Sequence, residues 1–327
     1  LQAMDQHLEQ GGRTVYMTWD LHEVPSTGFD VVVVLLGDEW GRIPAYCHDV
    51  LAVFKTFGVQ FSLSGNPLRK PSYLNTVSLV RYLRTQVYRT PSLVRYGARE
   101  TMQQVRSRGA APCRIHAIPL GYANQRDLPI KPLNERAYDL YFSGSIDNKH
   151  YPVWSPQRWL LTPKSVSRRQ LVAHMEQLQQ DQPDLVVELD ITSRFSLRLD
   201  GSPERAARRS YSEELMDTKI CVVPRGTTAE TCRFYEGLRY GCVMITEALP
   251  SRWFYDGAPV IQVGDWSELP SLVGQLMSDE ALMEKMHQAS LAWWHEKCSE
   301  EAAGVFMANT LNALSDETPL SEVAASV

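Results

Sequence analysis

The chain has 327 residues, 44% of them hydrophobic and 22% charged, and its 33 Lys and Arg against 38 Asp and Glu leave a net charge of −5. This balance excludes a collagenous, fibrous or disordered chain, and the length is enough for two domains of ordinary size. No basic stripe marks a duplex-binding surface, which sets nucleic acid aside as the main partner.

The longest apolar run, Val31–Leu36, is far short of the roughly 20 residues that span a bilayer. The six cysteines are scattered and no C-x-x-C occurs, so neither a zinc site nor a dense disulfide framework is expected, and a reducing compartment is. The chain opens on Leu1 rather than Met, which leaves room for an anchor or further domains upstream. The expected setting is cytoplasmic with peripheral membrane association, or the Golgi lumen for an anchored eukaryotic chain.

In chain order, Thr14–Trp19 is a short β-rich run and Asp30–Leu36 reads as a strand buried on both faces. Pro44–Phe57 is expected to be a helix closed by Gly58. Val59–Leu63 is a candidate strand before a Gly/Asn/Pro loop over Ser64–Ser72, and Pro91–Arg108 is a helix stopped by Gly109. Arg114–Pro119 is a strand, and the polar stretch Ala123–Arg136 is a linker.

The strand and helix rhythm then restarts. Tyr138–Phe142 is a strand breaking at Ser143, Gly144 and Ser145, and Ser167–Gln180 is an amphipathic helix. Leu185–Leu189, Lys219–Pro224, Val243–Thr246 and Pro259–Val263 are strands; Ser210–Asp217 and Thr228–Tyr240 are helices. Ser278 to Leu314 is helical with Trp293 and Trp294 as packing residues, and the small polar tail Ser315–Val327 is expected to fray. Two successive blocks of alternating strands and helices predict two parallel-sheet α/β domains, with ligands at the carboxyl ends of the strands and in the cleft between domains. The predicted division is residues 1–125, residues 126–290 and a terminal helix with its tail over 291–327.

The P-loop, the G-x-G-x-x-G fingerprint, the G-x-S-x-G elbow and the H-E-x-x-H helix are all absent. The informative stretch is residues 219–250, KICVVPRGTTAETCRFYEGLRYGCVMITEALP. A buried strand runs into Pro224-Arg225-Gly226-Thr227-Thr228, followed by a helix that carries Arg233 and Glu236. A helix N-terminus at the strand ends suits a diphosphate, because free N–H groups and the dipole favour an anion. Arg225 and Arg233 would add charge-assisted contacts, and a carboxylate such as Glu236 can accept from the two vicinal hydroxyls of a ribose. The plainer alternatives are an i,i+3 surface ion pair for Arg233 and Glu236 and a simple tight turn at Ser143–Ser145.

The same stretch resembles the C-terminal half of exostosin-like glycosyltransferases. The resemblance rests on Cys221, Pro224, Arg225 and Gly226, then Arg233-Phe234-Tyr235-Glu236-Gly237-Leu238 and Gly241-Cys242-Val243, with Met244 standing where the family usually has Pro. Asp265-Trp266-Ser267 and, upstream, Ile118–Tyr122 and Leu140–Ser145 extend it more weakly. The resemblance implies a GT-B architecture, two Rossmann-like domains facing a cleft, with a nucleotide sugar (UDP-linked above all) on the C-terminal domain and a glycan or polysaccharide acceptor on the N-terminal one. It also implies inversion at the anomeric carbon, no metal and no cofactor beyond the nucleotide sugar.

On this reading the donor-binding residues are Ser143, Gly144, Arg168, Arg169, Arg225, Gly226, Thr227, Thr228, Arg233 and Glu236. An inverting transfer needs a base, and position favours Asp38 and Glu39 just beyond the buried Val/Leu strand, with Asp20, His22 and Glu23 second. Many retaining GT-B enzymes carry two Glu eight positions apart in this segment. Here Thr228 precedes Glu236 by eight and Leu238 follows Glu230 by eight, so that pair is missing. A retaining polysaccharide-assembly enzyme and a non-catalytic sugar-binding domain on the same fold are the alternative readings.

Overall fold

A computed structural model describes residues 1–60, 71–106, 113–122, 126–146, 162–192 and 210–317. These divide into two compact units, one within Leu1–Phe61, Thr85–Leu120 and His295–Val327, the other within Ser62–Arg84 and Gly121–Trp294.

The first unit is built on β1 (Thr14–Thr18), β2 (Gly28–Leu35), β3 (Val50–Lys55) and β4 (Ile115–Ala117), all parallel and in that order. The Val/Leu run of β2 serves both faces of the sheet. Val32 and Val34 pack with Phe54, Ala52 and Ile118, whereas Val31, Val33 and Leu35 pack with Tyr46, Cys47 and Val53. A strand buried on both faces has no polar alternation, which is why this one reads as a continuous apolar run. Met4 on the short helix α1 (Gln2–His7) and Met307, Ala308 and Leu311 close the first of these faces.

Three expectations are corrected in this region. Pro44–Phe57 is not a helix: its apolar end, Val50–Phe54, is the central part of β3, where β-branched Val50 and Val53 suit a strand buried on both faces. The helix expected from Pro91 begins at Tyr73 and runs to Arg106 as α2, with Pro91 inside it. Proline reads as a helix start because it lacks an N–H, yet a long helix tolerates the loss of one bond. Val59 and Gln60 are not in a strand, and the rest of the Val59–Leu63 candidate lies outside the described residues.

The second unit carries β5 (Tyr138–Ser145), α3 (Pro163–Asp181), β6 (Val187–Thr192), α4 (Tyr211–Met216), β7 (Thr218–Val223), α5 (Cys232–Arg239), β8 (Val243–Glu247), β9 (Val260–Val263), α6 (Leu269–Met277) and α7 (Glu280–Trp293). Its sheet is parallel in the order β6-β5-β7-β8-β9. Leu140 and Phe142 of β5, Ile220 and Val222 of β7 and Val243 and Ile245 of β8 face Leu171, Met175, Trp266 and Val273 in one core. Past α7 the chain makes a π-helical turn, Trp294–Cys298, and ends its described part in α8 (Glu300–Glu317), which supplies Met307, Ala308 and Leu311.

Strand β5 continues three residues beyond the expected break, and α5 starts at Cys232 rather than Thr228, leaving residues 224–231 as a loop. Two parallel-sheet α/β units are the pair of Rossmann-like domains expected of a GT-B chain. The strand order of the second unit reverses at β5: the chain leaves it to one side for β6 and returns to the other for β7. Parallel sheets bind ligands outside the carboxyl ends of their strands at such a switch point.

Candidate functional site

Ser143, Gly144 and Ser145 are the carboxyl end of β5, and Arg225 follows the end of β7, so the two stand on either side of the switch point. Gly144 has φ +153, a conformation that L side chains rarely adopt. A Cβ on it would stand 3.1 Å from a terminal nitrogen of Arg233 and 3.3 Å from one of Arg168. The glycine thus lets two guanidinium groups converge on one stretch of backbone.

Arg233, in the first turn of α5, donates through Nη2 to the Ser143 carbonyl and through Nε to the Tyr211 hydroxyl at 3.3 Å, and lies 4.7 Å from the Phe142 ring centre. It makes no ion pair with Glu236, whose Oε2 instead accepts from the Tyr211 hydroxyl at 2.9 Å. Arg168, one turn into α3, donates through Nη1 to the Ser145 carbonyl at 2.6 Å and through Nε to the Arg225 carbonyl at 3.1 Å. Burial, and then the neighbouring Arg233, pull the Arg168 guanidinium down to about 9. Burial also works against the charge of Arg233, but the hydrogen bond with Tyr211 and the nearby Glu236 carboxylate outweigh it and hold its guanidinium above the usual value. Burial and Glu236 push the Tyr211 phenol well up, so it stays protonated as a donor.

Arg225 is different. Its Nε is paired with Glu247 Oε2, its backbone N–H donates to Glu247 Oε1 at 3.1 Å, and Nη1 donates to Ser78 Oγ at 2.9 Å. Both side chains are buried, and the same carboxylate accepts from Ser167 Oγ and, at 3.1 Å, from Trp266 Nε1. The pair fixes the turn after β7 and, through the Arg225 carbonyl, the position of Arg168. Arg225 therefore holds the site's frame, with its charge already matched.

Gly226 and Thr227 are half-buried in the loop, and Thr228 donates to the Glu230 carbonyl at 3.3 Å. The N-cap of α5, Thr231, caps nothing, and its buried Oγ1 has no hydrogen-bond partner among the described residues. On α3, Lys164 is buried with Nζ 3.2 Å from Ser145 Oγ, while Arg169 is exposed. The described residues thus bring together Ser143, Gly144, Arg168, Arg225, Arg233 and Glu236, with Arg169 outside the group.

Sequence reasoning did not find Glu247, Tyr211, Lys164 or Ser78. The carboxylate that ends the apolar run Val243–Thr246 was the available signal for Glu247. Ser78 lies about 150 positions from Arg225 in sequence, and nothing local announces it.

In the first unit, the two candidate bases beyond β2 part company. Asp38 has φ +60 and a side chain that is 2% exposed. Its Oδ1 accepts from Arg42 Nε at 2.8 Å and its Oδ2 from the Arg42 N–H at 2.7 Å, with Lys55 Nζ, fully buried, 3.1 Å away. Both oxygens are committed to cations and backbone, which is the arrangement of a turn lock. Glu39, half-buried in the next position, makes no ion pair with the described residues. Asp20 closes its own turn, accepting from the N–H groups of His22 (2.7 Å) and Glu23 (3.3 Å), bonds that hold its carboxyl below the usual range; His22 and Glu23 are exposed.

No protein-family model matches the sequence, and no curated protein sequence does. Among solved structures, one titled "Crystal structure of GtfA/B complex" is similar at 13% identity and a TM-score of 0.41, with 88% of this chain covered. The chain spans 58% of the length of that one. The functional reading rests on the chain's own residues.

Proposed function

We propose that the chain is a glycosyltransferase that moves a sugar from a nucleoside diphosphate donor to a glycan hydroxyl. The single observation that carries this is the pair Arg168 and Arg233: two guanidinium groups brought together over Gly144, at the switch point of a parallel sheet, with no ion pair to any described carboxylate. Placing two like charges side by side and partly out of water is costly unless an anion completes the site. A diphosphate does so, because its oxygens can accept charge-assisted hydrogen bonds from both guanidinium groups. The N-terminus of α5, which no side chain caps, adds to the same preference through the helix dipole.

On this reading the donor's diphosphate meets Arg168, Arg233 and the Gly226–Thr228 loop, and Glu236 with Tyr211 meets the ribose. UDP is the nucleotide we expect, on the exostosin-like resemblance of Pro224–Val243. For the base we carry forward Glu39, which makes no ion pair with the described residues, rather than Asp38. An inverting step balances simply. The acceptor oxygen bonds to the anomeric carbon as its proton passes to the Glu39 carboxylate. The bond from that carbon to the diphosphate oxygen breaks, and the electron pair leaves with the nucleoside diphosphate, whose growing charge the arginines neutralise.

Incubation with a panel of UDP-, GDP- and ADP-sugars, following release of the nucleoside diphosphate, tests the reading. Release from one donor class, abolished in Arg233→Ala, is expected. Binding of the diphosphate without any release or transfer would favour a sugar-binding domain, and retention at the anomeric carbon by NMR would remove Glu39 as a base.

A further inference from the structure

A second feature lies at the carboxyl edge of the first unit's sheet, where a parallel sheet places its ligands. Trp19, the residue after β1, is 71% exposed, whereas the other described tryptophans are buried or half-buried. An indole left in water gives up the burial that stabilises a fold, so its position points outward to a partner. The ring is nonetheless seated. It lies against Gly37, two residues past β2, where a Cβ would stand 2.7 Å and 2.9 Å from ring carbons Cε3 and Cζ3. Gly37 has φ +87, so glycine there meets two demands, a left-handed backbone and the close approach of the ring. The indole makes no hydrogen bond or ring contact with the described residues.

The next residue is a fixed acceptor. The Asp20 N–H donates to Thr18 Oγ1 at 2.9 Å, its carbonyl accepts from the Tyr46 hydroxyl at 2.9 Å, and its Oδ1 accepts from the N–H groups of His22 and Glu23. Its Oδ2 accepts no hydrogen bond from the described residues, and the side chain is exposed. Residues 20–23 and 37–39, the two turns at the ring, hold the carboxylates Asp20, Glu23, Asp38 and Glu39 and no Lys or Arg. Arg42 and Lys55 pair with Asp38, and the other three carboxylates make no ion pair with the described residues. This surround repels a phosphate or a carboxylate, which sets aside a nucleotide stacking its base on the indole and an anionic lipid. A pyranose matches it: one face of the ring presents C–H groups to an aromatic plane, and the rim presents hydroxyls that donate to carboxylates.

We infer that Trp19 and Asp20 form a carbohydrate platform: the C–H face of an uncharged pyranose lies on the indole, and a hydroxyl of that ring donates to Asp20 Oδ2. That the sugar belongs to the acceptor glycan rests on the transferase reading above; the platform itself does not.

Binding of the full chain to an array of immobilised neutral and acidic oligosaccharides tests it, followed by saturation-transfer NMR with one soluble neutral oligosaccharide that binds. Neutral glycans should bind and uronic, sialylated or sulfated ones should not, and the transfer should be strongest to the protons on one pyranose face. Trp19→Phe should keep most of the affinity. Trp19→Leu, which keeps an apolar side chain without the ring, should lose about tenfold. Asp20→Asn, whose amide oxygen still accepts from the N–H groups of the turn, should lose about fivefold. Both positions are exposed, so the urea midpoints should not move. A blank array overturns the inference, as does equal binding of acidic and neutral glycans, or binding that Trp19→Leu retains in full. A dimer in solution that Trp19→Leu dissociates also overturns it, because the indole would then join two copies of the chain. Donor turnover with a blank array removes the platform and leaves the transferase; glycan binding without donor turnover does the reverse.

Discussion

The two sheets end differently. Beyond the carboxyl edge of the first unit's sheet, two carboxylates are fixed from within the unit: Asp38 is held by Arg42 and Lys55, and Asp20 by the N–H groups of its own turn. Beyond the carboxyl edge of the second unit's sheet, Arg225 is matched by Glu247, but Arg168 and Arg233 converge with only carbonyl, hydroxyl and ring partners. The lesson is that charge by itself does not mark a site. A charge locked in an ion pair fixes a turn; two like charges brought together with no ion pair of their own imply a ligand.

The contrast can be broken most directly at neighbouring positions. Glu39→Gln should reduce turnover by about 10²–10⁴, the usual contribution of a general base. Its stability should change by no more than about 0.5 kcal/mol, as for a surface substitution. Asp38→Ala should do the reverse to stability, lowering it by about 3–5 kcal/mol because Lys55 is left buried without its carboxylate. Urea unfolding together with initial rates separates the two, and an unchanged unfolding midpoint in Asp38→Ala would refute the turn lock.

In the second unit the same logic divides the arginines. Arg233→Ala should weaken nucleoside diphosphate binding by about 100-fold, which is roughly 2–3 kcal/mol for a charge-assisted contact, with no large loss of stability. Glu247→Ala, by leaving Arg225 buried and unmatched, should unfold the chain at lower urea instead. Equal behaviour of the two variants would erase the distinction between frame and site.

The smallest effect concerns pH. Burial, and then Arg114, hold His116 below the usual histidine range. Below about pH 6.5 the unfolded chain takes up a proton that the folded one refuses. Stability should therefore fall as the pH drops below that value and level off only beneath the lower folded pKa. His116→Phe, which keeps a ring against Phe54, should flatten that slope between pH 7.5 and 5.5.

What was legible in the sequence follows from how local the causes are. The valine run of β2 and the strands at Tyr138, Lys219 and Val243 show in the sequence because a twice-buried strand must be apolar throughout. The Pro224–Val243 segment held Arg225, Arg233 and Glu236 together, and their elements were read correctly to within a few residues. Less local causes escaped notice. Val50–Phe54 becomes a strand because it lies between β2 and β4, and Pro91 starts no helix because one is already running. That Arg225 is already matched while Arg168 and Arg233 are not depends on Glu247, Ser78 and Tyr211, which meet the arginines only in three dimensions.

Calorimetric titration with UDP, beside GDP and ADP, tests the central claim most directly when wild type is compared with Arg168→Ala and Arg233→Ala. The account predicts one site per chain in the wild type for at least one of these diphosphates, and a loss of about 100-fold in each variant. Absence of binding by all three, or binding that both variants retain, would contradict it.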